Sequence, residues 1–222
     1  MDPASDLFLA TDPATLAGIV DPQRLLAAAA VFPGGAVVLV FMLFWAPVGP
    51  GIPAGVLLAR VAGINPAATF ALYALFDVLG ACVCHPIYSL LRRLAAHVPA
   101  VRPLGRKLLK LALIGTPAPR PGDAARTFPA LFRIGAVGFG ADIYTAGLLI
   151  AGLPVPRVPG WASAIVGDLI WFTILLATSI ATAQVTDRSW VQLVVMIVVM
   201  AVVPRVARRF VPALREAPVQ AG

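Results

Sequence analysis

Charged side chains are scarce in this sequence, where Asp, Glu, Lys and Arg together make up 12% of the 222 residues. A soluble protein of this length needs far more polar surface to cover its core. Hydrophobic residues instead make up 60% of the chain, and its mean hydropathy is +0.92. The composition therefore excludes an ordinary soluble domain and predicts an all-α integral membrane protein.

The residue types of most catalytic and metal sites are also scarce. The two histidines, His85 and His97, stand outside any nucleophile motif, and no P-loop or Rossmann fingerprint occurs. The two cysteines, Cys82 and Cys84, are two residues apart in an apolar run, so they do not share a helix face. We therefore expect no enzymatic activity, no metal, no cofactor and no disulfide framework. An intramembrane aspartyl protease would need flanking motifs that the sequence lacks.

The net charge of +7 comes from basic clusters rather than from a basic face. Eight of the 17 Lys and Arg residues lie between Arg92 and Arg126, and four more lie from Arg205 onwards. No aromatic residues are interleaved with the first cluster, so we expect no nucleic-acid partner. The positive-inside rule places both clusters in the cytoplasm. Within the first cluster, the segment 102–115 predicts an amphipathic helix that binds the anionic lipids of the cytoplasmic leaflet.

Asp77 and Asp168 are lone carboxylates inside long apolar runs, and a related stretch precedes each of them. AGVLLARVAGINP at 54–66 precedes the first, and AGLLIAGLPVP at 146–156 precedes the second. A charge at the centre of a bilayer costs roughly 2.5–3.5 kcal/mol on insertion scales, so neither is expected to face lipid unpaired. A repeat that carries this charge twice predicts a pseudosymmetric membrane protein with a polar site near the midplane.

Four apolar segments are predicted to span the membrane, although the last is short. They cover residues 25–45, 67–91, 160–184 and 189–204. Pro33, Gly34 and Gly35 predict a kink within the first of them. Two further apolar segments, 46–63 and 128–153, are broken by proline or glycine and predict re-entrant hairpins. Irregular backbone at membrane depth is tolerated only where protein or a cavity covers it.

Counting the crossings tests the hairpin prediction. If both broken segments crossed the membrane, three spans would follow the basic loop and the basic tail would lie outside. If both are hairpins, two spans follow, and both termini lie in the cytoplasm. The second topology places both basic clusters in the cytoplasm, as the positive-inside rule requires. It also gives the spans of Asp77 and Asp168 opposite orientations. It therefore predicts an inverted repeat.

The predicted organisation has five parts. These are a cytoplasmic segment at 1–24, a first membrane repeat at 25–91, a basic loop at 92–127, a second repeat at 128–204 and a basic tail at 205–222. The first 24 residues hold four Asp and one Arg, the reverse of the basic start of a signal peptide. We therefore expect the first hydrophobic helix to act as a retained signal anchor.

Several charged residues are candidates for a binding site. Asp77 and Asp168 are predicted to bind a proton or a coupling ion, although each could instead fix helix register. Asp142, near Tyr144 at the second hairpin, is either a site residue or a local helix cap. Arg60 either pairs with an Asp or an anionic head group, or extends its side chain to the membrane interface.

The glycine and proline clusters at 47–55 and 135–140 are the remaining candidates. Gly51, Pro53 and Gly140 would leave backbone amides and carbonyls free to line a binding site. Small residues also let membrane helices pack closely, and the sequence does not separate the two interpretations.

Two motifs resemble a known family. PVGPGIPAGVLLARVAGINP and GFGADIYTAGLLIAGLP are similar to the paired hairpin motifs of the DedA/VTT superfamily and of the small multidrug export proteins. Ala151-Gly152 followed by Gly167-x-x-x-Trp171 resembles the second DedA-type repeat. The resemblance covers roughly residues 40–180. It implies re-entrant hairpins, inverted repeats and proton-coupled transport of a lipid carrier or solute. The chain departs from the DedA pattern at Gly138-Phe139-Gly140, where an arginine-bearing turn is usual.

The sequence thus favours a small transporter of the bacterial inner membrane, coupled to protons or another ion. Its expected partners are membrane lipids and a small solute or lipid-linked substrate, and it is expected to form a homodimer if it associates. The alternative from another class is a membrane scaffold or lipid-organising protein that transports nothing. An ion channel is the third possibility.

Overall fold

The structure, a computed structural model, describes residues 22–45, 51–97, 127–140, 142–152 and 155–210. Every regular element within these ranges is an α-helix, which confirms the all-α prediction. In chain order the helices are α1 Pro22–Val31, α2 Gly35–Phe44, α3 Gly51–Val61, α4 Pro66–His97, α5 Thr127–Gly140, α6 Ile143–Gly152, α7 Arg157–Val185 and α8 Ser189–Phe210. The predicted amphipathic helix at 102–115 lies outside the described residues, as do most of the N-terminal segment, the basic loop and the tail.

Three helices are long and apolar enough to cross a membrane. Their spanning parts are Pro66–Leu94 in α4, Arg157–Val185 in α7 and Ser189–Ala207 in α8. At 1.5 Å per residue they are roughly 28 to 44 Å long, against a hydrocarbon core of about 30 Å. They coincide with three of the four predicted spans and support a membrane protein. The last helix continues through Pro204 to Phe210 rather than ending at the proline.

The first predicted span is not one continuous helix, and this prediction is corrected. Residues 25–45 form α1 and α2, helices of ten residues each that are separated by Phe32–Gly34. Gly34 and Gly35 have φ angles of +86° and +69°, in the left-handed region where residues with a Cβ are strained. A helix of ten residues is only about 15 Å long, half of a hydrocarbon core. The predicted kink is therefore a full break.

Two short helices followed by a long one occur twice in the chain. The sets are α2, α3, α4 and α5, α6, α7, and the two short helices of each set pack against each other. The second pair coincides with the predicted hairpin at 128–153. The first does not, because α3 alone fills most of the predicted hairpin at 46–63 and its partner α2 comes from the predicted first span. Whether either pair is re-entrant in a membrane stays a prediction.

The described helices divide into two compact units. Unit 1 contains the described residues up to Phe76 together with Thr173–Met200. Its core is aromatic: Phe44 packs edge-on against Tyr73 at 5.2 Å between ring centres, and Trp45 against Phe76 at 5.3 Å. These rings join the end of α2 to the first turns of α4.

Unit 2 contains the described parts of Asp77–Phe172 together with the residues from Ala201 to Phe210. Its core combines one turn of α4 with α5, α6 and the start of α7. The buried hydrophobic cluster is Ala81, Ile134, Val137, Ile143, Ala146, Leu149, Ile150, Trp161 and Ala164. Most of these side chains are small or aliphatic, so the helices of this unit lie close together.

The long helices expose apolar rather than polar faces. The buried face of α4 includes Tyr73, Phe76, Asp77 and Ala81, which recur at helical spacing. Its opposite face exposes Leu75, Val78, Leu79, Val83, Ile87, Leu90 and Leu94. A soluble helix shows the reverse pattern, with polar residues outside and apolar residues inside. An apolar exterior around a buried carboxyl group is the arrangement expected of a helix surrounded by lipid.

Candidate functional site

Asp77 and Asp168 lie together inside unit 2, on α4 and α7 respectively. Their side chains are 0% and 3% exposed. The two carboxyl groups are close enough to interact electrostatically. The sequence repeat predicted both residues as one site, and the structure brings them together.

The described residues around Asp77 donate no hydrogen bond to its carboxyl group. Within the described part of the chain, neither of its carboxylate oxygens accepts a hydrogen bond from an amide, a hydroxyl or a cationic group. Two ionised carboxylates are acceptors only, so a hydrogen bond between them requires a proton on one of them. A buried carboxylate without donors is strongly disfavoured relative to water. The chemistry that this pair supports is therefore the binding of a proton or a small cation.

The aspartate pair and one further contact show that α4 and α7 run antiparallel in unit 2. The indole Nε1 of Trp161 donates a hydrogen bond to Nδ1 of His85 at 3.2 Å. His85 follows Asp77 in the chain, whereas Trp161 precedes Asp168. At 1.5 Å per residue, each contact residue lies roughly 10–12 Å along its helix from the carboxyl pair. This second contact fixes the register that places the two carboxyl groups opposite each other.

Glycines bring α5 against α7 beside the pair. A Cβ atom added to Gly138 would collide with the carbonyl oxygen of Ala164, and one added to Gly167 with the carbonyl oxygen of Gly135. Gly167 directly precedes Asp168, so this close approach fixes the position of the carboxylate. For this part of the cluster at 135–140, the structure supports close packing rather than a backbone-lined site. An added Cβ on Gly140 has no atom within 4 Å.

Asp142 caps a helix, which is one of the two roles predicted for it. Its carboxylate accepts a hydrogen bond from the backbone N–H of Thr145, which makes it the N-cap of α6. Asp is a preferred residue at this position because it satisfies an amide that lacks a partner within the helix. The capping bond explains the residue without a role in binding.

Tyr144 lies within the electrostatic reach of the carboxyl pair. Asp142, Asp77 and Asp168 all act on its hydroxyl group. Its backbone carbonyl accepts a hydrogen bond from the hydroxyl of Tyr88 at 3.2 Å, which ties α6 to α4. Tyr144 is thus a predicted site residue that lies near the two aspartates.

The other predicted site residues belong to unit 1. Nη1 of Arg60 donates a hydrogen bond to the backbone carbonyl of Ser179 at 3.3 Å, a contact with the backbone rather than with a carboxylate. Gly51 and Pro53 are buried in the first turn of α3. Proline is accommodated there because the first amides of a helix have no partner within it. These three residues contribute to the packing of α3.

His85 and Trp161 were not among the predicted site residues. His85 lies eight positions after Asp77 and Trp161 seven positions before Asp168. Two helical turns separate each from its aspartate, so all four share the facing sides of α4 and α7. The sequence did contain an indication of this contact, because one residue follows its aspartate at nearly the spacing by which the other precedes its own. That spacing predicts a contact only if the two helices are known to pack antiparallel.

Known proteins add no assignment to this site, since no family model, no curated protein and no solved structure matches the chain. The resemblance to the DedA/VTT superfamily therefore stays a prediction. The function of the carboxyl pair has to be inferred from its own geometry.

Proposed function

We propose that the protein is a small membrane transporter that couples proton movement to the translocation of a small solute or a lipid carrier. Asp77 and Asp168 are its proton-binding pair. The observation that supports the proposal is a fully buried carboxyl group that lies close to a second one and receives no hydrogen bond from the described residues.

Energetics favour a proton-binding role over a packing role. An ionisable residue at membrane depth is disfavoured, and such residues usually mark ion or proton pathways. Two asparagines would hold α4 against α7 by donating and accepting hydrogen bonds without any proton. A pair of carboxyl groups gains an advantage over amides only if its charge has to change during function.

Charge changes at the pair provide a way to drive movement. With one proton the two groups hold each other by a hydrogen bond, and with none they repel. Two unit charges about 4 Å apart repel by roughly 4 kcal/mol at an effective dielectric constant of about 20. That energy is enough to shift a conformational equilibrium about a thousandfold, since each 1.4 kcal/mol is a factor of ten. Loss of the proton therefore drives α4 and α7 apart at the aspartate pair.

The remaining predictions complete the proposal. The helix pairs α2/α3 and α5/α6 act as re-entrant hairpins of two inverted repeats, with both termini in the cytoplasm. In such transporters the binding site lies near the midplane, between repeats that open alternately to either side. The resemblance to DedA-type proteins agrees with this arrangement and with an inner-membrane location.

Proteoliposomes test the proposal. The purified protein is reconstituted with a pH-sensitive dye inside, and candidate solutes are screened for stimulation of proton uptake under an imposed pH gradient. Asp77→Asn and Asp168→Asn keep the size of the side chain and give its partner a donor, so both variants are expected to fold and to lose the stimulation. Asp142→Asn is the matched control, because asparagine caps a helix as well as aspartate does. Full stimulated uptake in either of the first two variants would contradict the proposal.

A membrane scaffold is the second candidate, and two observations favour it. Asp142 caps its own helix and Arg60 contacts a backbone carbonyl, so two of the predicted site residues have packing roles. A scaffold predicts that the aspartate pair never changes its proton content. An ion channel has no comparable observation in its favour.

A further inference from the structure

A second polar site lies in unit 2, apart from the carboxyl pair. A cavity of about 40 Å³, open on one side, is lined by the second half of α4, by α6 and by the start of α7. Its polar lining consists of His85, Tyr88, Ser89, Arg92, Arg157 and Trp161. Among the residues that the structure describes, no carboxylate lines the cavity.

The charge of this cavity selects an anion. Arg92 and Arg157 bring two guanidinium groups to it from different helices. Nη1 of Arg92 also donates to the backbone carbonyl of Ala151 at 3.4 Å, which ties the side chain to α6. A guanidinium carries five N–H donors, so the others remain to bind a ligand. Its planar fork matches the oxygens of a phosphate or carboxylate group.

The volume of the cavity limits the size of the ligand. At about 10–15 Å³ for each water, a volume of about 40 Å³ holds on the order of three waters. Pockets that enclose a whole organic ligand measure about 300–1,000 Å³. The cavity therefore fits a single small anionic group, and the remainder of any larger ligand has to lie outside it.

The position of the cavity is that of a membrane interface. Arg92 is near the end of the span Pro66–Leu94, and Arg157 is the first residue of the span Arg157–Val185. Counted along the helices at 1.5 Å per residue, the two arginines lie roughly 22 and 16 Å from the aspartate pair. Half of a hydrocarbon core is about 15 Å, so arginines at that distance from an aspartate pair at the midplane, where the proposed function places it, reach the lipid head groups. Trp161 and Tyr88 are of the types enriched at this level.

We propose that this cavity is a binding site for a single phosphate group, held between the guanidinium groups of Arg92 and Arg157. The phosphate comes either from the head group of an anionic lipid or from the aqueous phase. In the first case the glycerol and acyl chains extend past Trp161 along the exposed apolar faces of the spans. The site needs no transport activity, and only its depth in the membrane rests on the midplane position proposed for the aspartate pair.

The full-length protein in lipid nanodiscs tests this site. Thermal unfolding is followed as phosphatidic acid is increased in phosphatidylcholine discs and, separately, as inorganic phosphate is added to pure phosphatidylcholine discs. Arg92→Gln and Arg157→Gln are compared with Arg188→Gln. All three arginines are exposed, but Arg188 lies in the connection between α7 and α8 and does not line the cavity. Loss of one charge-assisted pair is expected to weaken the apparent affinity about tenfold or more in the first two variants only.

The two titrations separate the possible sources of the phosphate. Stabilisation by phosphatidic acid alone identifies a lipid head group, and stabilisation by inorganic phosphate identifies the free anion as sufficient. Either result supports the site if Arg92→Gln and Arg157→Gln reduce it and Arg188→Gln does not. The proposal is overturned if neither probe stabilises the wild-type protein, or if all three variants respond as the wild type does.

Discussion

Replacing Gly167 by alanine tests whether the approach of α5 and α7 positions the carboxyl pair. A Cβ at this position would overlap the carbonyl oxygen of Gly135 and lie 2.7 Å from its carbonyl carbon. Non-bonded carbon atoms prefer about 3.5–4.0 Å, so the two helices have to separate by roughly 1 Å. The obstructing atoms belong to the backbone and cannot rotate away. Overpacking of this kind costs about 1–3 kcal/mol.

Gly80→Ala is the matched control for this substitution. Gly80 lies three residues after Asp77 on α4, and an added Cβ there meets no atom within 4 Å. Alanine in a helix is favoured over glycine by about 1 kcal/mol, so this variant is expected to be as stable as the wild type or more so. Reversible unfolding in mixed micelles, followed by circular dichroism, compares the two variants. If Gly167→Ala is as stable as Gly80→Ala, the packing of α5 against α7 described above is wrong.

Three further predictions concern the surroundings of the pair. Trp161→Phe keeps an aromatic ring but removes the donor to His85, and it is expected to lower the free energy of unfolding by about 0.5–1.5 kcal/mol. Asp142→Ala removes the cap of α6 and is expected to cost about 0.5–2 kcal/mol in the same assay, whereas Asp142→Asn restores stability. Single cysteines at Ile52 and Gly140, which are both partly exposed, should react with impermeant reagents from outside and from the cytoplasm respectively in an otherwise cysteine-free protein. Labelling of both from one side would refute the inverted topology.

Hydropathy was sufficient to locate the long helices. The runs at 67–91, 160–184 and 189–204 coincide with α4, α7 and α8, because a backbone in lipid has to satisfy its own hydrogen bonds and a helix does so. The same rule failed over 25–45, where composition is apolar throughout but two glycines adopt left-handed backbone conformations. Average hydropathy carries no information about such local breaks.

Contacts between distant side chains were harder to predict than the helices. The repeat identified Asp77 and Asp168 as one site because an isolated charge in an apolar run is disfavoured unless it is paired. The roles of Asp142 and Arg60 stayed undecided, since a carboxylate can cap its own helix and an arginine can contact any nearby carbonyl. The choice depends on which helix faces meet, and that is fixed by non-local packing at glycines such as Gly135 and Gly167.

The central claim is that Asp77 and Asp168 form a site whose proton content changes, and infrared difference spectroscopy tests it most directly. Spectra of the membrane-reconstituted protein are recorded as the pH is stepped, and the carbonyl stretch of protonated carboxyl groups is followed. We predict a band that falls as pH rises, that is lost or shifted in both Asp77→Asn and Asp168→Asn, and that persists in Asp142→Asn. A band that does not change with pH, or that remains unaltered in both asparagine variants, would contradict the claim and leave the pair a packing element.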